Sequence, residues 1–248
     1  RMMAYATDTN TNNNSNSGIC TVCKRENCLI YNHSKALLED KSAQNTIIKC
    51  KKGQQFIIEG APVNGLFFIK KGTVKVFRTG INGREQIVRF AKDCEIIGHR
   101  GFGTQEYYSI GAIAIQDTEL YYFSKENLQK VLLENSKFSY EMMLFYANEL
   151  NNSENKIKSI SQMTVRERVI DTLLYIHRKF GDLRGFLNLP LSRRDYADYA
   201  GTTEEQVIRV FSVLKKENLI QAKGKKIAIT DVARLKKEIN EHNYFLDS

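Results

Sequence analysis

The stretch LSRRDYADYAGTTEEQVIRVFSVLKK, residues 191–216, predicts two short helices joined by a tight turn. Ser192 and Asp195 have the spacing of a capping box, which marks the start of the first helix. Gly201 stands between the two helices, where a sharp turn favours the residue that lacks a Cβ atom. The stretch therefore predicts a helical hairpin whose ends are encoded locally.

The second helix of this hairpin is predicted to have a buried back and an exposed front. Its start is marked by Thr202 with Glu205 or by Thr203 with Gln206. Apolar residues recur at helical spacing on one side: Val207, Val210, Phe211 and Leu214. The opposite side is free to face a partner: Glu205, Ile208, Arg209, Ser212 and Lys216. Such a helix after a tight turn is typical of helix-turn-helix proteins, which place it in the DNA major groove. An ordinary surface hairpin with a charged face is the alternative.

The residues that follow predict a β-hairpin. Two short apolar runs within residues 219–230 flank Gly224. Lysines crowd the tip of this hairpin: Lys223, Lys225 and Lys226. Beside a recognition helix, such a hairpin is the wing of a winged helix, whose cations contact DNA phosphates and add affinity rather than sequence choice. A solvated lysine-rich turn is the alternative.

Composition narrows the class of protein. The 248 residues suffice for one large or two smaller domains, and 42% of them are hydrophobic. No apolar stretch approaches the roughly 18 residues of a membrane helix, and no signal peptide is visible, so we expect a cytoplasmic globular protein without a membrane partner. The net charge of +9 fits an anionic partner. No enzymatic constellation is visible, and five cysteines without an export signal indicate thiols or metal ligands rather than disulfides.

The composition divides the chain into four parts. Residues 1–36 are expected to be a partly disordered arm, and residues 37–135 an antiparallel β-barrel or β-roll with a hairpin at Asn82-Gly83 and tight corners at Gly72 and Gly98. Residues 136–165 predict a long helix, and residues 166–248 the winged helix-turn-helix domain. A further helix is predicted from Val165 to Phe180, ended by Gly181.

The long helix carries a narrow apolar seam at spacings of three and four residues. Its members are Met143, Tyr146, Leu150, Ser153, Ile157 and Ile160. A long, thin stripe of this kind suits pairing with one other helix, as in a two-stranded coiled coil. We therefore expect a homodimer, with the first two turns of the helix packed on their own roll.

The order of β-roll, long helix and winged helix-turn-helix resembles the Crp–Fnr family of bacterial transcription regulators. The resemblance covers about residues 37–235 and includes the stretches 65–76, 83–90 and 166–169. It implies an α+β fold with a cyclic-nucleotide-binding-like roll as sensor, a helix that pairs two subunits, and heads that read a palindromic operator in double-stranded DNA. RNA polymerase is a further partner that the resemblance suggests.

The resemblance assigns roles to the exposed face of the recognition helix. Glu205 and Arg209 stand where the family places its base-reading acid and arginine, which suit cytosine N4 and the guanine O6/N7 edge. Ser212 joins them, and Ile208, in place of a small residue, either meets a thymine methyl or covers the hairpin core. Glu204 occupies a position at which family members usually carry a basic residue, so this chain departs from the family pattern there. Phosphate contacts are expected from Ser192, Arg193, Thr203, Lys216, Lys223, Lys225 and Lys226.

The effector that the roll senses is predicted to differ from cyclic AMP. Family members that bind it hold the ribose with a glutamate and the phosphate with an arginine. Here Gly98 and Ser109 match the family segment, but His99 replaces the glutamate and Tyr108 the arginine. A buried phosphate without its cation is costly. Arg100 could compensate, so a cyclic-nucleotide regulator with a non-standard pocket stays an alternative.

A second candidate sensor is the cysteine group Cys20, Cys23 and Cys28. Its spacing resembles that of the oxygen-sensing branch of the family, which implies an iron–sulfur cluster or zinc and a redox, oxygen or nitrosative signal. That branch adds a cysteine in the roll, where this chain has Tyr121 or Tyr122. Free thiols and a redox thiol switch are the alternatives. A metal- or small-molecule-binding module, with a helix-turn-helix that contacts only proteins, is the rival class of function.

Overall fold

The computed structural model describes Leu29, His33 and residues 47–101 and 106–240. An antiparallel β-roll precedes a helical connection and a smaller head. The strands of the roll are β1 Ile47–Cys50, β2 Gln55–Ile57, β3 Gly65–Lys71, β4 Thr73–Thr79, β5 Glu85–Lys92, β6 Ile96–Ile97, β7 Gly111–Ala114 and β8 Thr118–Ser124. Single 3-10 turns lie at Ile81–Gly83 and His99–Gly101. The predicted α+β fold with an antiparallel roll is confirmed.

The roll consists of two four-stranded sheets, ordered β1-β8-β3-β6 and β2-β7-β4-β5. Inward-facing side chains fill the space between them, and Ile69, Val74 and Ala112 are fully buried. The predicted corner at Gly72 has φ +129°, and a Cβ atom there would lie 2.3 Å from Thr118 Oγ1, so only glycine fits. These tight corners let two short sheets close over one core.

Three helices follow the roll: α1 Lys125–Glu134, α2 Ser136–Gln162 and α3 Val165–Phe180, the last of which packs into the head. The predicted long helix is α2, whose first turn is capped by the Asn135 side chain accepting from Phe138 N. Phe138 and Met142 are buried against Phe68 of the roll, as expected for the first turns. Gly181 ends α3 at φ +69°. None of the helices in the described ranges has the length and apolar character of a membrane span.

The head contains the predicted helical hairpin and wing. Its elements are α4 Arg193–Ala200, α5 Glu204–Lys216, β11 Ile220–Lys223, β12 Lys226–Ile229 and α6 Val232–Ile239, preceded by a small hairpin of β9 Asp182–Leu183 and β10 Phe186–Leu187. The sequence analysis missed the β9–β10 hairpin because two-residue strands carry no periodicity. Buried Leu173, Tyr196 and Phe211 lie in the centre of the head.

The roll and the head share a continuous core, which the sequence analysis did not predict. The Phe90 ring of β5 stacks on the Tyr199 ring of α4 with centroids 5.7 Å apart. Polar contacts surround this stack: Gln86 Nε2 donates to Asp198 O at 2.7 Å, and Arg84 Nη2 donates to Thr202 O at 2.5 Å. Strand β5 of the roll therefore supports the turn of the helical hairpin directly.

Candidate nucleic-acid interface

The ends of the two hairpin helices are set by local hydrogen bonds. Ser192 Oγ accepts from Asp195 N, and Asp195 Oδ2 accepts from Ser192 N, each at 3.0 Å, which completes the predicted capping box. Gly201 ends α4 in the left-handed region at φ 67°, ψ 43°. Of the two candidate starts for α5, Thr203 is the one used, because its Oγ1 accepts from Gln206 N at 3.3 Å.

The back of α5 packs against α4 and the rest of the head. Val207, Phe211 and Leu214 are at most 2% exposed. The Phe211 ring meets the Tyr196 ring edge to face, with centroids 5.1 Å apart. Val210, the fourth predicted member, is partly buried against the same core, so the stripe is packed and fixes which face of α5 points outward.

The front of α5 is exposed and presents the four predicted base-reading residues. Glu205, Arg209 and Ser212 are exposed, and Ile208 is 48% exposed. Ile208 thus does not cover the hairpin core, which favours the thymine-methyl alternative. The Ser212 hydroxyl donates to Ile208 O at 2.9 Å, so its proton is already engaged within the helix.

Local contacts keep Glu205 ionised. Its own backbone N–H, then the Thr203 hydroxyl and the Arg209 charge, lower the pKa of this carboxyl group. Glu205 and Arg209 are four residues apart on one face, so α5 presents an acceptor and a five-donor guanidinium to the same partner. This pair can distinguish hydrogen-bond donors from acceptors along a groove.

The wing projects beside this face. Strands β11 and β12 pair with Lys223 opposite Lys226, and Gly224 turns between them at φ +60°. All three predicted wing lysines are exposed, as is Lys216. The sequence analysis assigned Arg193 and Ser192 to phosphate contacts, but their groups are engaged within the head. Arg193 Nη2 donates to Gly224 O at 3.2 Å, while its guanidinium lies 4.6 Å from the Phe211 centroid.

Arg168 is a supporting residue to which the sequence analysis gave no role of its own. Its Nε donates to Ala200 O at 2.8 Å, and its Nη2 to Gly201 O at 3.4 Å. Its Nη1 donates to Met163 O, directly after α2, at 2.8 Å. One guanidinium therefore joins the end of the long helix to the turn before α5. Its place in the 166–169 stretch was the available signal.

The roll interior is filled at the predicted effector site. Tyr108, at the family's arginine position, is 6% exposed, and its hydroxyl donates to Gly65 O at 2.7 Å. A Cβ atom on Gly98 would lie 3.2 Å from the Tyr108 ring. Ser109 is partly buried, and Arg100 is drawn away to Glu149 Oε2 of α2 at 3.3 Å. A phenol thus occupies the place where the resemblance puts a phosphate cation.

His99 is buried between the roll and α2 rather than lining an open pocket. The Nε2 atom of His99 lies 3.3 Å from Glu149 Oε2, without good hydrogen-bond geometry. The Tyr146 hydroxyl donates to the backbone oxygen of His99 at 2.8 Å. Burial lowers the pKa of His99 to about 4, against the opposing pull of Glu149. Burial raises the pKa of Glu149, but His99, Arg89 and Arg100 outweigh it and lower the value to about 2. At neutral pH the pair is a neutral imidazole beside a carboxylate.

The predicted seam of α2 is largely open in the single chain. Met143, Leu150 and Ile157 are 57%, 62% and 67% exposed and stand seven residues apart, on one line along the helix. Tyr146 and Ile160 flank that line at 36% and 43% exposure. Among the residues that the structure describes, nothing covers this apolar row of α2.

The cysteine group Cys20, Cys23 and Cys28 lies outside the described residues. Within the described ranges, no group of three or more His, Cys, Asp or Glu side chains could hold a metal ion. The family's roll cysteine is replaced by Tyr121, which is 4% exposed, or its neighbour Tyr122. The described residues therefore do not supply the fourth ligand of an iron–sulfur cluster at that position.

The two cysteines of the described roll differ in state. Cys50 is buried, and burial raises the pKa of its thiol. Cys94, in the turn between β5 and β6, is disulfide-bonded. The expectation of reduced thiols or metal ligands throughout is therefore wrong for Cys94. Leu29, which follows Cys28 in the sequence, packs on the same core cluster as Cys94.

Comparisons with known proteins agree with this architecture. Residues 47–135 match the cyclic nucleotide-binding domain family, and residues 167–238 match the Crp-like helix-turn-helix domain family. The chain is 27% identical over 202 residues to the transcriptional activator protein FnrA of Stutzerimonas stutzeri, covering 78% of this chain and 82% of the relative. It is 29% identical over 179 residues to the nitrogen fixation regulation protein FixK of Rhizobium meliloti, covering 72% and 80%.

A solved structure gives the same result. FixK2 from Bradyrhizobium japonicum superposes with a TM-score of 0.70 at 26% identity, over 77% of this chain and 96% of that chain. The two matched domains, in this order and joined by a long helix, are the architecture already described. This chain therefore belongs to the Crp–Fnr family of DNA-binding transcription regulators.

Proposed function

We propose that this regulator reads a palindromic operator as a homodimer, with Glu205 and Arg209 as the residues that choose the base sequence. The observation that carries the proposal is the exposed Glu205–Arg209 pair on a helix whose opposite side is packed against the head by Val207, Phe211 and Leu214. Arginine holds the guanine O6/N7 edge bidentately, and an ionised glutamate accepts from cytosine N4. Ile208 adds an apolar contact for a thymine methyl, and Ser212 an acceptor.

Phosphate contacts come from exposed groups around this pair. We assign them to the hydroxyl of Thr203 and to four lysines: Lys216, Lys223, Lys225 and Lys226. Ser192 and Arg193 keep a place at the rim of the site, although their polar groups already serve the capping box and the wing. These contacts add affinity without sequence choice and make binding weaker as salt rises.

The experiment begins with selection of the preferred duplex from a random pool by the intact protein. Arg209→Ala should then lose about 1–3 kcal/mol of specific binding in a competition gel shift, because a bidentate base contact is removed. Arg78→Ala removes an exposed arginine of the roll and should bind as the unchanged protein does. An Arg209→Ala variant with undiminished specificity would contradict the assignment. It would favour the rival reading, a helix-turn-helix that contacts only proteins.

The homodimer is proposed from the exposed seam of α2. Two copies of the row formed by Met143, Leu150 and Ile157 can cover each other, as in a coiled coil. Two heads then face one duplex, which suits a palindromic site. We place this complex in the cytoplasm, where the DNA is, and propose RNA polymerase as a further partner because relatives such as FnrA are named transcriptional activators.

We propose that the signal is not cyclic AMP. The position of the phosphate cation holds buried Tyr108, and Arg100, the remaining candidate cation, is engaged by Glu149. A cyclic-nucleotide regulator with a non-standard pocket would need Tyr108 to leave its hydrogen bond with Gly65 and a new cation to enter. Titration calorimetry with cyclic AMP at millimolar concentration should show no binding. Saturable binding would revive that alternative.

A redox signal is the second candidate, favoured by the disulfide at Cys94. The next residue, Glu95, pairs with Lys179 Nζ of α3 at 2.9 Å and with Arg89 Nη1 at 3.7 Å. Reduction by a dithiol adds two electrons and two protons, breaks the S–S bond and leaves two thiols, while the dithiol becomes a cyclic disulfide. The turn that carries Glu95 would then be released from its cross-link. A change at Cys94 can thus reach the contact between roll and head.

A further inference from the structure

A cavity of about 690 Å³ lies where the roll, α2 and the head meet. Strand β5, one side of α2 and helix α3 form most of its wall, and Tyr199 of α4 closes it on the head side. Its size falls within the range of about 300–1,000 Å³ typical of small-ligand pockets. The cavity lies outside the interior of the roll, because neither Tyr108 nor Gly98 lines it, although Arg100 of the predicted effector position does.

Lys156 of α2 is a partly buried cation in this wall. Its Nζ lies 3.8 Å from the centroid of the Tyr199 ring. Within the described ranges it makes no ion pair or hydrogen bond. Burial lowers its pKa to about 8, although the charge of Asp171 opposes this from outside contact distance. An ammonium held in this way would be stabilised by an anion that entered the cavity.

The other charged groups of the cavity leave a positive excess. Six Lys and Arg side chains and three acidic side chains line it. Two of the acids are already neutralised: Glu95 by Lys179, and Glu149 by Arg100 and Arg89. The cavity therefore has more cationic charge than its own carboxylates can satisfy.

The remaining wall suits a flat apolar body. The rings of Tyr175 and Tyr199 stack with centroids 4.8 Å apart and an interplanar angle of 15°. Val88 and Ile160 add aliphatic surface to the wall, and Ile160 also flanks the seam of α2. The Tyr199 ring already contacts Phe90, Tyr175 and the Lys156 ammonium, so a planar ring would extend this stack at Tyr175, and its acidic group would reach toward Lys156.

We propose that this cavity binds a small organic anion with a flat apolar body, whose carboxylate pairs with the Lys156 ammonium. This deepens the proposed function and rests on it for its consequence. A ligand here touches the roll, the dimer helix and the head at once. The ligand binds best when the roll, α2 and the head all surround it, so it favours one position of the head over others. This shift changes the affinity for the operator.

The test is calorimetric titration of the full chain with 2-naphthoate, without DNA. We expect saturable binding, and binding about tenfold weaker or more in Lys156→Met, which keeps the apolar stem and loses the charge. Lys156→Arg should retain affinity within a few-fold, because the charge stays. Lys137→Met removes an exposed lysine near the start of the same helix and should leave affinity unchanged. The neutral analogue 2-naphthalenemethanol should bind the unchanged protein and Lys156→Met equally.

No binding of 2-naphthoate to the unchanged protein, or equal affinity in Lys156→Met, overturns the proposal. If Lys156→Met does not fold, as judged by circular dichroism, Lys156→Gln replaces it under the same criterion. Repeating the gel shift with and without 2-naphthoate then tests the effect on operator affinity. Since the calorimetry contains no DNA, its failure leaves the reading face unaffected, and a failure of Arg209→Ala to lose specificity leaves the calorimetry unaffected.

Discussion

His99 makes the stability of this regulator depend on pH. It stays neutral in the folded chain because burial lowers its pKa from 6.5 to about 4. A base with a lowered folded pKa is protonated more readily in the unfolded chain, so its contribution is intact above pH 6.5 and is lost as the pH falls toward 4. Glu149, with a folded pKa of about 2 against 4.5, loses its own contribution only below pH 4.5. The two groups therefore act in successive pH windows.

The first prediction concerns the upper window. Between pH 7.5 and pH 5, the free energy of unfolding should fall by about 2 kcal/mol from His99 alone, following the linkage of pKa to stability. His99→Phe, which keeps an aromatic ring beside Phe145 and Tyr146, should lack this component. Urea unfolding of both proteins at one fixed concentration measures it. An equal pH dependence in both proteins would show that other groups cause it.

Single residues differ in how far the sequence specifies them. The exposure of Glu205 and Arg209 was predictable, because helical periodicity alone fixes which side chains oppose a packed stripe. Arg193 was not predictable in detail, because its partners Phe211 and Gly224 come from elements that meet only after folding. Tyr108 was predictable in part. Its position in the sequence indicated that the phosphate-binding arginine is lost, but not that its ring fills the interior of the roll.

At the scale of elements, the turn between α4 and α5 depends on one backbone conformation. Gly201 has φ 67°, and a Cβ atom there would meet its neighbours only at 3.7 Å or more. Gly201→Ala should therefore cost about 1–2 kcal/mol from backbone strain rather than from collision. Gly201→Asn should cost less, since asparagine enters the left-handed region more readily. Gly80→Ala, at φ −94°, is the matched control. Equal midpoints of unfolding for Gly201→Ala and the control would refute the strain argument.

The seam of α2 gives a prediction about assembly. Leu150→Lys should yield monomers in analytical ultracentrifugation, because a charge enters the centre of the proposed helix pair. Leu133→Lys changes an even more exposed leucine, at 79%, on α1, and should leave the assembly unchanged. A Leu150→Lys protein that still sediments as a dimer would place the subunit contact elsewhere.

Elements with strong periodicity were predicted well, and contacts between distant elements were not. Helix α2 and the α4–α5 hairpin follow from spacing and capping residues, which act within a few positions. The packing of β5 on α4 joins residues more than a hundred positions apart, such as Gln86 and Asp198. No local pattern encodes such a contact, so the shared core of roll and head required the structure.

For the whole molecule, the Cys94 proposal predicts that a reductant changes DNA binding. Dithiothreitol should shift operator affinity by about fivefold or more, the low end of typical coupling between sites. Cys94→Ser should be insensitive to dithiothreitol, and Cys50→Ser, which alters a buried free thiol, should respond like the unchanged protein. Anaerobic purification with iron and zinc analysis accompanies the gel shifts. If Cys94→Ser responded to dithiothreitol as the unchanged protein does, the redox-sensitive group would have to lie outside this turn.

The contacts of Arg168 have a consequence for the spacing of operator half-sites that the protein prefers. One planar group holds Met163, directly after α2, and the end of α4 with the turn before α5, through three backbone oxygens. In the proposed dimer, the α5 helices would then follow any change in the crossing angle between the two α2 helices. A tilt of a few degrees would change the distance between the two α5 helices, which has to match the spacing of two successive major grooves. Operators that differ only in the number of base pairs between half-sites should therefore differ in their order of affinity between the effector-free and the effector-bound protein.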